Sequence, residues 1–146
     1  MKLSDLEEQE TIVKISNKNS DWYGLYGIVD FIDSDCAYIF CVSKPTYHYK
    51  ITIDNINDIE IVNFNTYTTQ SKEIKIIDLP HYQIDNIKQL EVGNMVGIIA
   101  NNEWNNNIGL ISFIGDDVAY IRCCNKQYSY KVRNDNLNDI ILLKDR

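Results

Sequence analysis

The stretch that decides the fold runs from Gly27 to Val62 and reads GIVDFIDSDCAYIFCVSKPTYHYKITIDNINDIEIV. Apolar residues recur at every second position in parts of this stretch, for example at Ala37, Ile39 and Cys41. This alternation is typical of β-strands that bury one face of a sheet. Turn-forming residues separate the runs, for example at Asp33–Asp35. The stretch therefore predicts several short antiparallel strands joined by tight turns.

A second copy of this pattern follows later in the chain. The segment from Val13 to Val62 aligns with the segment from Val96 to Leu143 when two one-residue gaps are allowed. The matched pairs include Trp22 with Trp104, Gly27 with Gly109, Asp35 with Asp117, Tyr38 with Tyr120, Cys41 with Cys123, Tyr47 with Tyr128, Tyr49 with Tyr130 and Asp58 with Asp139. An abundance of isoleucine can align isoleucines, but it cannot align Trp, Gly, Cys and Tyr in the same order. The sequence therefore indicates an internal duplication.

Each copy is predicted to contain five strands and one turn of 3-10 helix. In the first copy the strands are expected near Ile12–Ser16, Gly27–Ile32, Ala37–Val42, Tyr47–Ile51 and Ile59–Val62, with the turn at Asp54–Asp58. Alternation places Val29 and Phe31 together on one face of the second strand. It places Ile111 and Phe113 together in the same way in the second copy. The face that stays apolar in both copies is the predicted core face.

This order of elements resembles the SH3-like barrels of KOW and Tudor-type domains. The resemblance is carried by a polar loop with an aromatic residue, Gly27–Val29, an Asp-containing hairpin, Tyr47-x-Tyr49 and a closing Asp54–Ile59 element. It covers Ile12–Val62 and Met95–Leu143. The resemblance implies an all-β fold class, namely two tandem SH3-like small β-barrels from an internal duplication. A short helical turn is expected before each barrel.

The sequence predicts three parts of the chain. They are residues 1–62 as barrel 1 with its N-terminal helical turn, 63–90 as a linker, and 91–146 as barrel 2. The N-terminal turn is indicated by Ser4-x-x-Glu7, a capping-box pattern. In the linker, an extra strand is expected at Ile74–Ile77 and a short helix over Ile84–Leu90, where apolar residues follow helical spacing.

Charge and cysteine content limit the partners and the cellular location that we expect for this protein. The 146 residues carry 14 basic and 21 acidic side chains, a net charge of −7 that argues against general binding to a phosphate backbone. The sequence shows neither a secretion signal nor an apolar run of about 20 residues, so a cytoplasmic location without a membrane partner is expected. The cysteines, Cys36, Cys41, Cys123 and Cys124, form no CxxC pair and are expected to be free thiols. Cys41 and Cys123 are expected to be buried as small hydrophobic residues.

No motif of known catalytic chemistry occurs in the sequence. The carboxylate pairs in Asp33–Asp35 and Asp116–Asp117 lie where hairpin turns favour aspartate. His48 is expected to face away from the core into solvent, and Ser129 replaces it in the second copy. We therefore predict a protein that is not an enzyme and that has no catalytic residue, metal or cofactor.

Aromatic residues are the first candidates for binding. Trp22 and Trp104 occupy the same polar loop in both copies, either as a lid over the barrel or as a contact for a ligand. Tyr38 and Tyr120 are expected on the non-core face of the third strand, and Tyr26 is a further candidate. The resemblance implies that aromatics at such positions bind partners by stacking or by cation–π contact.

Basic residues of the second copy are the other candidates. Arg122, Lys131 and Arg133 are expected to form a small basic stripe on barrel 2, able to bind phosphate or an acidic partner. The alternative is that they are scattered solvated charges. The copies differ in charge as a whole, because residues 1–62 carry 5 basic and 11 acidic side chains and residues 91–146 carry 6 and 7.

Three functions remain open on the sequence alone. The leading hypothesis is a tandem SH3-like protein-interaction module whose partner is a protein, with a phage or mobile-element inhibitor of a host factor as one form of it. The second is a KOW-like nucleic-acid-binding protein that uses the basic stripe. The third is a small-ligand binder, for example of a nucleotide, at the seam between the barrels. A homodimer is compatible with each, because a barrel of about 60 residues is marginally stable alone.

Overall fold

A computed structural model describes residues 1–62, 76–123 and 126–144 of the chain. The chain divides into two compact units, Met1–Asn63 and Phe64–Arg146. The strands are β1 (Ile12–Ile15), β2 (Tyr26–Ile32), β3 (Cys36–Phe40), β4 (His48–Thr52), β5 (Ile59–Ile61), β6 (His81–Tyr82), β7 (Met95–Ile98), β8 (Ile108–Ile114), β9 (Val118–Cys123), β10 (Tyr130–Arg133) and β11 (Ile140–Leu143). The helical turns in the described residues are all 3-10 turns, at Leu3–Asp5, Ile56–Asp58, Ile76–Asp78, Ile87–Gln89 and Asn134–Asp139.

The two units share one antiparallel strand order over five strands, and the sheet of the second unit has one additional edge strand. The strand order is β4-β3-β2-β1-β5 in the first unit and β10-β9-β8-β7-β11-β6 in the second. A 3-10 turn precedes the first strand of each barrel, and another joins the fourth strand to the closing strand. The predicted fold class, two tandem small SH3-like β-barrels from a duplication, is confirmed.

The backbone repeats even in its unusual conformations. Gln9 has a positive φ of 60°, and Gly93, at the corresponding place before the second barrel, has φ 95°. The backbone N–H groups of these two residues donate to the carbonyl oxygens of Val29 and Ile111, respectively, which are aligned positions. Because the left-handed region disfavours most side chains, glycine is the less strained residue at this turn and glutamine must be held there by other contacts.

Each barrel has its own core, formed by alternate residues of its strands. The core of barrel 1 is Leu6, Val13, Ile15, Val29, Ala37, Ile39, Cys41, Ile51 and Ile59, all buried. The core of barrel 2 holds Ala119, Ile121 and Cys123 at the aligned positions. Cys41 and Cys123 are buried as predicted, and burial raises the pKa of the Cys41 thiol to about 12. Cys36 is buried too, whereas Cys124 lies outside the described residues.

The alternation predicted for the second strand is wrong in both barrels. The pairing of β2 with β3 shifts between Val29 and Phe31, and that of β8 with β9 shifts between Ile111 and Phe113. Such a β-bulge adds one residue to a strand and reverses the faces beyond it. Val29 and Ile111 are therefore buried, while the two phenylalanines are exposed on the outside.

Residues 76–90 of the predicted linker pack within the second unit. Strand β6 pairs with β11 at the edge of the sheet, directly after Pro80. Ile84, Ile87 and Leu90 are buried in the core of barrel 2. The helix expected over Ile84–Leu90 is a single 3-10 turn at Ile87–Gln89.

Two other local predictions for short segments have different outcomes. Of the extra strand expected at Ile74–Ile77, residues 74–75 lie outside the described residues, and Ile76 and Ile77 belong to a 3-10 turn. The N-terminal turn is present, but the Ser4 capping box is wrong. Asp5 accepts the backbone N–H of Lys2 instead, at 2.8 Å.

Candidate functional site

One side-chain cluster recurs in both barrels around the predicted tryptophans. In barrel 1 the ring of Trp22 meets the ring of Tyr49 edge-on, with 5.6 Å between centroids. In barrel 2 Trp104 meets Tyr130 in the same way at 5.3 Å. A lysine covers each indole, because Lys44 Nζ lies 5.6 Å from the Trp22 centroid and the aligned Lys126 Nζ lies 5.0 Å from that of Trp104. We call these two sets, each completed by an aspartate described next, the Trp clusters.

The tyrosine of each Trp cluster is fixed by an aspartate. The Tyr49 hydroxyl donates to Asp58 Oδ2 at 2.8 Å, and the Tyr130 hydroxyl donates to Asp139 Oδ2 at 2.9 Å. Burial raises the pKa of both tyrosines, and the neighbouring carboxylate adds to the shift. Both hydroxyls therefore stay protonated and act as hydrogen-bond donors at neutral pH.

The Trp clusters have the contacts of a lid over the barrel. Both tryptophans are half-buried and pack against the hydrophobic core of their own barrel. Their backbone N–H groups are held at aligned positions, by Ser20 Oγ in one copy and Asn102 Oδ1 in the other. These contacts favour the lid over the ligand contact that the sequence left open.

A second repeated feature is an exposed aromatic pair on the outer face of each barrel. Phe31 stacks on Tyr38 with 4.3 Å between centroids, and Phe113 packs on Tyr120 at 5.7 Å. The two residues of each pair are cross-strand partners just beyond the bulge. Phe31 is 44% exposed and Phe113 is 53% exposed. The sequence had singled out the tyrosines but missed the phenylalanines, because it did not foresee the bulge.

In barrel 1 this outer face also carries a hydrogen-bonded network of a carboxylate, an imidazole and an amide side chain. His48 Nε2 lies 2.7 Å from Asp30 Oδ2, and the imidazole ring stands edge-on to Phe31 at 5.6 Å. Gln9 Nε2 donates to the carboxylate of Asp30 and, at 3.0 Å, to its backbone carbonyl. These side-chain hydrogen bonds to Asp30 help to hold Gln9 in its left-handed conformation. His48 is exposed and lies away from the core, as predicted, but it is held by Asp30.

Barrel 2 carries basic residues on the corresponding outer face. Lys131 is the cross-strand partner of Tyr120, and Arg133 lies two residues further along the same face of β10. Arg122 follows Tyr120 by two residues in β9 and is half-buried. Arg133 Nη1 also contacts Asp117 Oδ2 at 3.5 Å, where both side chains are largely exposed. The predicted basic residues therefore share one face with the aromatic pair.

The remaining candidate, Tyr26, lies away from these repeated features. It begins β2 opposite Lys14, whose Nζ is 5.4 Å from the centroid of its ring. The aligned residue in the second copy is Ile108, so this contact is not shared. The outer faces with their aromatic pairs are therefore the candidate site common to both barrels.

The fold and these faces define a tandem small-barrel protein with a repeated aromatic surface. No protein-family model and no curated protein sequence matches this chain. Among residues 1–62, 76–123 and 126–144, no helix is long and apolar enough to cross a membrane. The same residues hold no group of His, Cys, Asp and Glu side chains that could bind a metal ion.

Proposed function

We propose that this chain is a non-enzymatic protein-interaction module that binds through the aromatic pairs on the outer faces of its two barrels. The observation that carries the proposal is the repetition of one exposed pair, Phe31 with Tyr38 and Phe113 with Tyr120, at the same bulge in both copies. The resemblance to KOW and Tudor-type SH3-like barrels supports it, since barrels of this kind bind partners with exposed aromatics.

These pairs are not part of the hydrophobic core of either barrel. The core of each barrel lies on the opposite face of the sheet, and the phenylalanine ring contributes mainly to the surface. An exposed aromatic pair leaves apolar area in water that a partner could cover. Aromatic residues are also enriched at protein–protein interfaces, where a few of them carry most of the binding energy.

The test is capture of protein from a host lysate by wild type and by a variant with both faces changed. Phe31→Thr with Phe113→Thr removes the aromatic rings but keeps residues that favour strands. We expect captured protein to fall at least about tenfold, which is the loss of one strong contact residue. Tm should change by no more than a few degrees, because both rings are about half exposed and neither belongs to the core of its barrel.

The matched control is Tyr47→Thr with Tyr128→Thr. These aligned tyrosines are 70% and 77% exposed, more than the phenylalanines, and they lie outside the strands. We expect this control to capture as much protein as wild type. Equal loss in both variants, or undiminished capture by the face variant, would contradict the proposal.

A second candidate function is nucleic-acid binding through barrel 2. It is favoured by the placement of Arg122, Lys131 and Arg133 on one face beside Tyr120, because stacking and phosphate contacts combine in such sites. The net charge of −7 opposes it. In the same capture experiment, bands that disappear after nuclease treatment would favour this candidate over the first.

A further inference from the structure

The outer faces of the two barrels carry the same aromatic pair but opposite charge. We infer that a second copy of this chain is a partner, with the barrel 1 face of one copy binding the barrel 2 face of the next. This inference rests on the proposed function, because it uses the same aromatic pairs. It names the partner that those faces fit.

The formal charge at aligned positions around the pairs differs between the barrels. At three outer-face strand positions the residue of barrel 2 is more positive by one charge than that of barrel 1. They are Asp30 against Ser112, Phe40 against Arg122, and Thr52 against Arg133. The aromatic residues between these positions are unchanged. Barrel 1 therefore has the more acidic form of the face and barrel 2 the more basic form.

The charge next to each aromatic pair differs in the same direction. Tyr38 lies near two carboxylates of its hairpin, Asp33 and Asp35, which add to a rise in its pKa caused first by a hydrogen bond with Cys36. A lysine stands directly opposite the tyrosine in both barrels, as Lys50 opposite Tyr38 and Lys131 opposite Tyr120, so this position does not distinguish the faces. Barrel 2 also keeps two hairpin carboxylates, Asp116 and Asp117, but it adds the cations Arg122 and Arg133, so its face is basic on balance where that of barrel 1 is acidic.

Pairing of unlike faces is favoured over pairing of like faces. Two barrel 1 faces would bring the carboxylates of Asp30, Asp33 and Asp35 against their own counterparts. Two barrel 2 faces would oppose Lys131 and Arg122 to themselves. Like charges across an interface are costly, whereas complementary charges steer and select partners. The stacked rings would supply apolar contact in either case, so charge decides the partner.

Such pairing is head-to-tail, because each contact joins the barrel 1 face of one copy to the barrel 2 face of another. Each chain has one face of each kind, so every copy that binds leaves two unlike faces free at the ends. Heterologous contacts of this type close into rings or continue as open chains. We therefore expect assemblies larger than a dimer at high protein concentration.

Sedimentation of the full chain tests this inference. At about 50 mM salt wild type should associate with rising concentration, and at about 500 mM it should be at least about tenfold weaker, because salt screens the complementary charges. Phe31→Thr alone and Phe113→Thr alone should each remain monomeric. An equimolar mixture of the two should form a one-to-one dimer, because each retains the face that the other has lost.

A charge exchange in the two single variants tests the contribution of charge separately from that of the aromatic rings. Chains that carry Phe31→Thr keep an intact barrel 2 face. Adding Lys131→Glu to these chains should prevent their association with chains that carry Phe113→Thr. Asp35→Lys in the latter should restore it at least in part. Both residues are exposed, so neither change is expected to disturb the fold.

The outcomes separate this inference from the proposed function. A chain that stays monomeric at low salt and high concentration overturns the inference, while face-dependent capture of another protein would leave the proposed function standing. A dimer formed by either single variant alone would also overturn it, because it would show like faces pairing. A wild-type chain that stays monomeric, together with capture that the face variants do not reduce, would overturn both.

Discussion

Replacing Gly27 by alanine is expected to lower the free energy of unfolding of the first barrel by about 3 kcal/mol. A Cβ atom at this position would lie 2.5 Å from Ile39 Cγ2 and 2.9 Å from the backbone carbonyl oxygen of Phe40. The side chain could turn away, but the carbonyl belongs to a paired strand and can move only if the sheet opens. A barrel of about 60 residues has little stability to spare, so most of its population should unfold.

The duplication supplies an independent repeat of this test. A Cβ at Gly109 would lie 2.5 Å from Ile121 Cγ2 and 2.7 Å from the carbonyl oxygen of Arg122, so Gly109→Ala should act alike on barrel 2. Gly115→Ala is the control, because its nearest contact is the Val118 side chain at 3.1 Å. Urea unfolding followed by resolved amide signals of each barrel would measure all three. A loss below about 1 kcal/mol at Gly27 would show that the strands are not as close as described.

Removing the indole of a Trp cluster is expected to destabilise its own barrel by roughly 3 kcal/mol without removing a binding residue. Trp22→Ala takes away the edge contact with Tyr49, the packing on the core and the ring beneath Lys44. Trp104→Ala takes away the same contacts in barrel 2. Thermal unfolding of both variants would give the size of the effect.

Substitutions in the Trp cluster and on the outer face are expected to have opposite effects on stability and on capture. Trp22→Phe should keep the barrel folded enough for the capture experiment and should capture as much protein as wild type. Phe31→Thr should do the reverse, with stability close to wild type and capture reduced. Capture that falls with Trp22→Phe while Tm is unchanged would mean that the loop tryptophan contacts a partner, which is the alternative the sequence left open.

The parts of the fold that repeat were predictable from the sequence. Trp, Gly and Tyr recur in the same order, so the duplication and the strands between them followed from pattern alone. The placement of Phe31 did not follow, because one extra residue at the bulge changes the face of everything beyond it and leaves no mark on composition. Period-two alternation assumes an uninterrupted ladder, which β2 does not have.

Contacts between residues that lie far apart in the chain could not be predicted from the sequence either. Gln9, Asp30 and His48 are separated by about 20 residues at each step, and only the curl of the sheet brings them together. Within the aligned segments, Asp30 and His48 correspond to Ser112 and Ser129, so neither side chain of this contact is repeated in the second copy.

The most direct test of the central claim is site-specific photocrosslinking from the outer faces. A photoreactive phenylalanine analogue would be placed in turn at Phe31 and Phe113, and at Tyr47 and Tyr128 as exposed controls. We expect protein adducts from the two face positions and only background from the two controls. We also expect position 31 to crosslink to barrel 2 of another copy. Adducts of equal yield at all four positions, or none from the faces, would contradict the assignment of the aromatic pairs as binding surfaces.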